Sequence, residues 1–400
     1  MKNGSYALAI LAALSVTYFA ENFIRSAATA LAPILIRDLG LSYGAMGLLS
    51  TALLLFYSLM QVPSGALSGS LGPRRTILGF TALTLAGVAV FYIGSSYLQL
   101  FAAQLLIGLG CSVFYLNAVI LVSAWLPQAR RATGIGVLSA VFNLGNFAAY
   151  LGFPLAVERT GGWRWLVLAV GGLLALGWAL NYIVLRDDSG GAGRPAPMGF
   201  RAGFRRLLSD PRVYPFAVGY TLRNAVFVFA NWLPQYLMDA KGLTYLEAGQ
   251  VASMGTLAGI PGCILVAALS DRLHSRKRPL LLFSVLTLVL LTAVVLTPPG
   301  TPIAVLYTLI FLFSASNSYW VLYFSMVPET LPRETASLGL GLVNMGGTVS
   351  IGLVTPIYGA LVDATGGYGA SNALLIGAAA AVPLIYHRFM GESYGRAPDE

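Results

Sequence analysis

The chain is 400 residues long, 57% hydrophobic and only 10% charged, with a net charge of +9. Soluble domains carry roughly 25% charged residues, so this chain lacks the polar surface to cover a water-exposed globule of its length. Two cysteines inside apolar stretches, Cys111 and Cys263, and two histidines near helix ends, His274 and His387, give no disulfide framework and no metal spacing; neither a metal nor another cofactor is expected.

Twelve apolar segments follow one another, at about 7–34, 44–70, 75–95, 98–125, 131–157, 164–185, 213–238, 245–270, 278–297, 302–327, 335–362 and 368–389. Each runs for roughly 20 residues or more, the length at which a helix spans a bilayer core. Short strand-like segments of alternating polarity are absent, which sets a β-barrel aside. Lys2, an apolar run and Ala28-Thr29-Ala30 mimic a cleaved leader. The run is too long for a leader core, and Glu21 and Arg25 interrupt it, so the segment reads as the first membrane helix.

With the N-terminus in the cytoplasm, 18 of the 24 Lys and Arg residues fall in cytoplasmic loops and four, Arg37, Arg159, Arg164 and Lys241, fall outside. This is the positive-inside asymmetry. It explains the basic excess without nucleic acid and predicts a multi-pass protein of the cytoplasmic membrane with both termini inside. The longest polar stretch, 186–212, holds Gly190-Gly191, Pro195, Pro197 and a basic run around Arg201, Arg205 and Arg206. It separates six segments from six: an N-terminal half at 1–185, a cytoplasmic linker with a short basic surface helix near 200–209, and a C-terminal half at 213–400.

The halves repeat. At an offset of 202, Tyr18 meets Tyr220, Asn22 meets Asn224, Gly40-Leu41-Ser42-Tyr43 meets Gly242-Leu243-Thr244-Tyr245, and Arg74 meets Arg276. At 205, Leu126-Pro127 meets Leu331-Pro332, Gly134 and Gly136 meet Gly339 and Gly341, and Gly161-Gly162 meets Gly366-Gly367. Members of each pair share a side of the membrane, so the repeat is parallel. The expectation is an all-α membrane protein of twelve transmembrane helices, in two parallel six-helix repeats around a central cavity, suited to alternating access.

Charged residues inside the bilayer cost at least ~2.5 kcal/mol each on insertion scales, so they carry information. Away from the segment ends there are three clear cases: Glu21, Arg25 and Arg223. Glu21 and Arg25 are four apart and share a helix face, while Glu21 and Arg223 are equivalent in the two repeats. The bland reading is an ion pair, Glu21–Arg25 or Glu21–Arg223. One acid cannot neutralise two arginines, and a surplus guanidinium is a bidentate partner for a carboxylate or phosphate. Tyr18, Asn22, Tyr220 and Asn224 lie beside these charges. Asn117, Asn143, Asn146, Asn231, Trp232, Asn317, Tyr319, Trp320 and Asn344 are further candidate solute contacts; intramembrane Asn also bonds between helices, and aromatics also pack. Glu21 is the one evident intramembrane proton carrier. Glycines 134, 136, 145, 152, 339, 341, 346, 347 and 352 read as close helix crossings.

Helix count, linker and repeat together resemble the major facilitator superfamily over the whole chain. The loop Ala268-Leu269-Ser270-Asp271-Arg272-Leu273-His274-Ser275-Arg276-Lys277-Arg278 is similar to that family's cytoplasmic signature. The first copy, Gly65-Ala66-Leu67-Ser68-Gly69-Ser70-Leu71-Gly72-Pro73-Arg74-Arg75, keeps the frame but has Gly69 and Ser70 where the signature has Asp-Arg. The resemblance implies a conformational latch at Asp271, Arg272, Arg276, Arg74 and Arg75, helices 1 and 7 lining the cavity, and a monomer. Arg25 followed by Pro33, then Gly40-Leu41-Ser42, resembles the anion:cation symporters and organophosphate:phosphate antiporters, which implies that Arg25 binds the substrate anion. Ile24, Gln104 and Cys111 stand where those relatives carry an acid, an Arg and an acid. Arg223 sits about one turn before the helix 7 Arg of the phosphate antiporters.

The function expected is secondary transport of a small organic or inorganic anion, coupled to protons or to a counter-substrate. Export of drugs or lipophilic compounds is the alternative, and the exporters' G-x-x-x-G-P-x-x-G-G pattern does not match Gly145-Asn146-Phe147-Ala148-Ala149-Tyr150-Leu151-Gly152-Phe153-Pro154. A polytopic membrane enzyme is the remote alternative, and no nucleophile, acid pair or metal cluster supports it.

Overall fold

The computed structural model describes residues 4–186 and 200–394. The linker's Gly190-Gly191, Arg194, Pro195 and Pro197, with Lys2 and Arg396, lie outside the described residues, as do the side chains of Ala66, Arg201 and Arg333. Among the described residues every regular element is helical. Ten helices there are long and apolar enough to cross a membrane. Two further spans complete twelve: the second, Tyr43–Leu59 continued by Gln61–Leu71, and the seventh, Val213–Lys241. The seventh is 29 residues long but carries Arg223, Asn224, Asn231, Gln235, Asp239 and Lys241, which dilute its hydropathy.

Several spans are built from pieces. The first runs through Gly4–Arg25, Ala27–Ala30 and Ala32–Leu39. Pro33 has no N–H to return, and the Ile34 amide bonds Leu31 O at 2.9 Å, one residue short of the α-helical partner. The fourth span is Tyr97–Cys111 plus Phe114–Trp125, and the tenth is Ile303–Ser316, a 3-10 turn at Asn317–Tyr319, and Trp320–Thr330. The rest are continuous: Pro73–Ile93, Gln128–Thr160, Arg164–Val184, Tyr245–Arg272, Lys277–Leu296, Arg333–Thr365 and Gly369–Phe389, with the short helix Phe200–Leu208 before the seventh.

The repeat is visible in how helices stop. The first and seventh spans end at Gly40 and Gly242, with φ of 60° and 75°, and the fifth and eleventh at Gly161 and Gly366, with φ of 73° and 68°. A left-handed cap carries no Cβ penalty only at glycine, so paired glycines end paired helices.

Two compact units result: Met1–Gly191 with Thr244–Thr256, and Ala192–Leu243 with Leu257–Glu400. The core of the first gathers Ile10, Leu14, Tyr18, Phe114, Leu121 and Leu138. In the same unit, Tyr245 donates its hydroxyl to Ala30 O at 2.8 Å, the carbonyl that the Pro33 break leaves without its helical partner. The core of the second gathers Phe216, Tyr220, Tyr319, Tyr323, Tyr386 and Val382.

In the second unit the chain beyond the twelfth span folds back onto the 270–278 loop. Glu392 accepts from the Arg276 amide at 2.7 Å and from the Ser275 hydroxyl, Ser393 donates to Glu329 at 2.9 Å, and the Arg276 guanidinium lies 4.6 Å from the Tyr394 ring. Burial of the Glu392 carboxyl pushes its pKa up, but the Ser275 hydroxyl and the amides of Arg276, Tyr394 and Ser393 outweigh that and hold it below the usual carboxylate range. A lowered folded pKa means the stabilisation is complete above the unfolded value, near 4.3, and fades as pH falls through the folded one. Glu392→Gln is therefore expected to lower the thermal midpoint at pH 7, by an amount corresponding to about 1.5–3 kcal/mol for hydrogen bonds to a charged group. The gap should narrow as pH drops below about 4. An equal gap in detergent melts at both pH values would contradict the assignment.

Candidate functional site

Tyr18, Glu21, Asn22 and Arg25 recur at the three-to-four-residue spacing of one helix face. Asn22 is fully buried; its amide donates to Tyr18 O at 2.7 Å, and its Oδ1 accepts from Arg25 Nη1 at 3.2 Å. The half-buried Arg25 guanidinium also lies 4.5 Å from the ring centroid of Tyr57 on the second span. Among the described residues no carboxylate stands within ion-pair range of it. Arginine has five N–H donors in a planar fork, and here one is engaged.

The Glu21–Arg25 ion pair weighed above does not form. Glu21 is fully buried and turns toward the third span, where Thr81 donates to Oε1 at 3.3 Å; Oε2 has no hydrogen-bond partner. Four-residue spacing brings two side chains to one face but does not fix their direction, and the shorter Asn22 carbonyl takes the guanidinium.

The second unit uses the same device. Asn224 donates to Tyr220 O at 2.8 Å and accepts from Arg223 Nη1 at 3.2 Å. Arg223 is 6% exposed, and its Nη2 reaches Asn317 O at 2.6 Å. That carbonyl is available because the tenth span tightens to a 3-10 turn over Asn317–Tyr319, where Ser, Asn and Ser are weak helix formers. The rings of Phe227 and Tyr319 flank the guanidinium at 5.6 and 6.0 Å. The two arginines, alike in sequence, therefore differ: Arg223 is enclosed and tied to backbone, whereas Arg25 is half-open.

Both Asn–Tyr pairs are held by a glycine of the neighbouring long span. A Cβ at Gly145 would come within 2.7 Å of Phe19 O and 3.0 Å of Asn22 Cβ; one at Gly347 would come within 2.5 Å of the Tyr220 ring and 2.6 Å of Asn224 Nδ2. Gly134 and Gly339 abut Leu126 and Leu331 in the same way, whereas a Cβ at Gly136 or Gly341 would meet nothing within 4 Å among the described residues.

The remaining candidates divide. Asn117 is fully buried and donates to Val113 O at 2.8 Å, and Asn143, half-buried, donates to Ser139 O at 3.0 Å. Asn146 accepts from Ser26 at 2.8 Å. Trp232 packs, stacking on Tyr358 at 5.7 Å and donating to Thr355 O at 3.1 Å. Trp320 is exposed with its edge to Phe324, while Asn231 and Asn344 are half-buried. At the signature loop, Arg276 pairs with Asp271 at 3.0 Å and with Glu329 at 3.0 Å, while Arg272 is exposed. In the first copy Arg74 donates to Tyr182 O at 2.8 Å and Arg75 is exposed. Together with Ile183, Leu185 and Arg186 they line a surface hollow of about 360 Å³.

Sequence reasoning missed Tyr57 over Arg25, Tyr115 and Phe142 beside Tyr18, and Glu329 and Glu392 at the signature loop. A tyrosine within an apolar segment gives no signal beyond packing, and Glu392 lies past the last segment.

The sequence matches the Major Facilitator Superfamily over residues 14–387. It is 26% identical over 382 residues to a probable sulfoacetate transporter, SauU, of Cupriavidus necator, covering 90% of this chain and 88% of that protein. It is 28% identical over 394 residues to a probable galactarate/D-glucarate transporter, GudP, of Bacillus subtilis, covering 88% and 85%. The fold is similar to that of a bacterial homologue of the human lysosomal transporter Spinster, with a TM-score of 0.78, 17% identity and coverage of 97% and 98%.

Proposed function

We infer the following for a chain that belongs to the Major Facilitator Superfamily: it is a secondary active transporter that moves a small organic anion across the cytoplasmic membrane by alternating access. The observation that carries the anion is the half-open Arg25 guanidinium, with one donor engaged and no carboxylate beside it among the described residues. A planar fork with spare donors binds a carboxylate or sulfonate bidentately. The names of the relatives agree, since sulfoacetate, galactarate and glucarate are all organic anions. Arg25 is the anchor, and Tyr18, Asn22 and Asn143 belong to its wall; within the second unit Tyr220, Asn224, Asn231, Asn317, Trp320 and Asn344 make up a wall of solute contacts of its own. Arg223 sets the shape and potential of that wall through Asn317 O rather than holding the solute directly.

Proton coupling is assigned to Glu21, and conformational latching to Arg276 with Asp271. Both termini lie in the cytoplasm, by the distribution of Lys and Arg, and the working unit is a monomer. The test is flux: the purified chain in proteoliposomes, supplied with carboxylates, sulfonates, phosphates and neutral lipophilic dyes, with and without an inward proton gradient. Anions should enter and respond to the gradient. Transport of dyes with no anion flux would overturn the reading.

A further inference from the structure

Around Arg25 the described residues of the first unit form an aromatic wall, and among them no carboxylate stands within ion-pair range of the Arg25 guanidinium. Tyr18 lies almost parallel to Phe114, at 5.4 Å between centroids and 8° between planes. Tyr115 stacks on it at 5.8 Å, and Phe142 lies 6.3 Å away. Tyr115 keeps 38% of its surface exposed, and Phe142 and Tyr57 are half-buried. The amide groups nearby are largely spent inside the protein. Asn22 is engaged at both ends, the amides of Asn117 and Asn143 are turned to backbone carbonyls, and Ser26 donates to Asn146. Gln104 Nε2 and Asn117 Oδ1 lack partners but are buried out of reach, so among the described residues what stays both accessible and uncommitted is mainly ring faces and edges with a few phenolic hydroxyls.

Charge points the same way. Gln104 and Cys111 are neutral and buried, so the fourth span adds no second cation. In the other unit the Arg223 guanidinium is enclosed and bonded to Asn317 O. An extended diacid needs a cation at each end, because an unpaired carboxylate loses its hydration without replacement. A polyol chain needs a donor or acceptor for each hydroxyl, and stacked rings supply few.

We propose that the transported solute is a monoanion, a carboxylate or sulfonate attached to a flat apolar group such as an aryl ring, and not a polyhydroxy acid or an extended diacid. The acid group sits on the Arg25 fork, and the apolar part lies against Tyr115 and Phe142 beside Tyr18. This assignment rests on Arg25 being the anion anchor.

The test is binding to the purified full chain in detergent, read as ligand-dependent thermal protection. The probes are phenylacetate, benzenesulfonate, gluconate, glucarate and, as the neutral control, benzyl alcohol. Phenylacetate or benzenesulfonate should protect at concentrations at least about tenfold below gluconate and glucarate, the difference that about 1.4 kcal/mol of ring contact supplies. Benzyl alcohol should not protect. Tyr115→Ala should weaken the aryl acids about tenfold, with Tyr115→Phe restoring them, since the ring and not the hydroxyl makes this contact. Protection by gluconate or glucarate at lower concentration, lost in Arg25→Ala, overturns the proposal and leaves the anchor standing. Protection by none of the anions, or protection unchanged in Arg25→Ala, overturns the anchor and the proposal together. If Tyr115→Ala does not fold, Phe142→Leu, which keeps an apolar surface but removes the ring, reads the same contact.

Discussion

Replacing Arg25 by alanine should abolish anion transport while the protein still folds. Two charge-assisted hydrogen bonds to a carboxylate, at about 1.5–3 kcal/mol each, set the loss at 100-fold in affinity or more. Folding should survive because Arg25 makes one side-chain hydrogen bond, to Asn22, and one ring contact, to Tyr57. Removing a charge from mid-membrane also lifts an insertion cost of at least ~2.5 kcal/mol. Arg25→Lys should be intermediate: the charge stays but the planar fork does not. The measurement is uptake in proteoliposomes beside a detergent melt of each variant. Normal uptake by folded Arg25→Ala would remove the anchor. The equivalent change at Arg223 should act differently, because Asn317 O loses a 2.6 Å bond inside a core, so its variants should lose stability as well as transport.

How far this arrangement was legible in sequence depends on the physics of each part. Spans are set by hydropathy, which is additive along the chain, so twelve segments stand out without a structure. The fifth span, expected at 131–157, runs Gln128–Thr160, since polar helix ends continue past the apolar core. The seventh is less apolar than most because Arg223, Asn224, Asn231, Gln235, Asp239 and Lys241 ride on it. The repeat was legible where geometry demands glycine, at the caps Gly40, Gly161, Gly242 and Gly366, and Gly145 and Gly347 were legible as close crossings though not as a repeat pair. Partner choice was not legible. Arg223 finds a main-chain carbonyl 94 residues away, and any residue at position 317 carries a carbonyl. Nothing local in Tyr57 says that it will cover Arg25, and nothing near Glu21 names Thr81. These are choices made by tertiary packing among side chains of similar local character.

Glu21→Gln should separate exchange from accumulation. The glutamine keeps size and shape, so Thr81 can still donate to its carbonyl oxygen as it does to Glu21 Oε1 at 3.3 Å. What it loses is the ability to bind and release a proton within the membrane. Glu21 is suited to that task by position: it is one turn below Arg25 on the same helix, and Oε2 has no hydrogen-bond partner. A change in how Arg25 is occupied is therefore felt at the carboxyl electrostatically, with little intervening water to screen it. In the wild type, a one-unit pH gradient supplies about 1.4 kcal/mol per proton, enough for about tenfold accumulation where one proton accompanies one monoanion. In Glu21→Gln that ratio should fall to one. Exchange of labelled for unlabelled anion, which needs no net proton movement, should persist, because the Arg25 fork and its Asn22 and Tyr57 supports are untouched. Measuring gradient-driven uptake and exchange on the same vesicles distinguishes the outcomes. Accumulation that survives in Glu21→Gln would assign the proton to another group, and loss of both activities with a normal melt would make Glu21 part of the anion's own binding site.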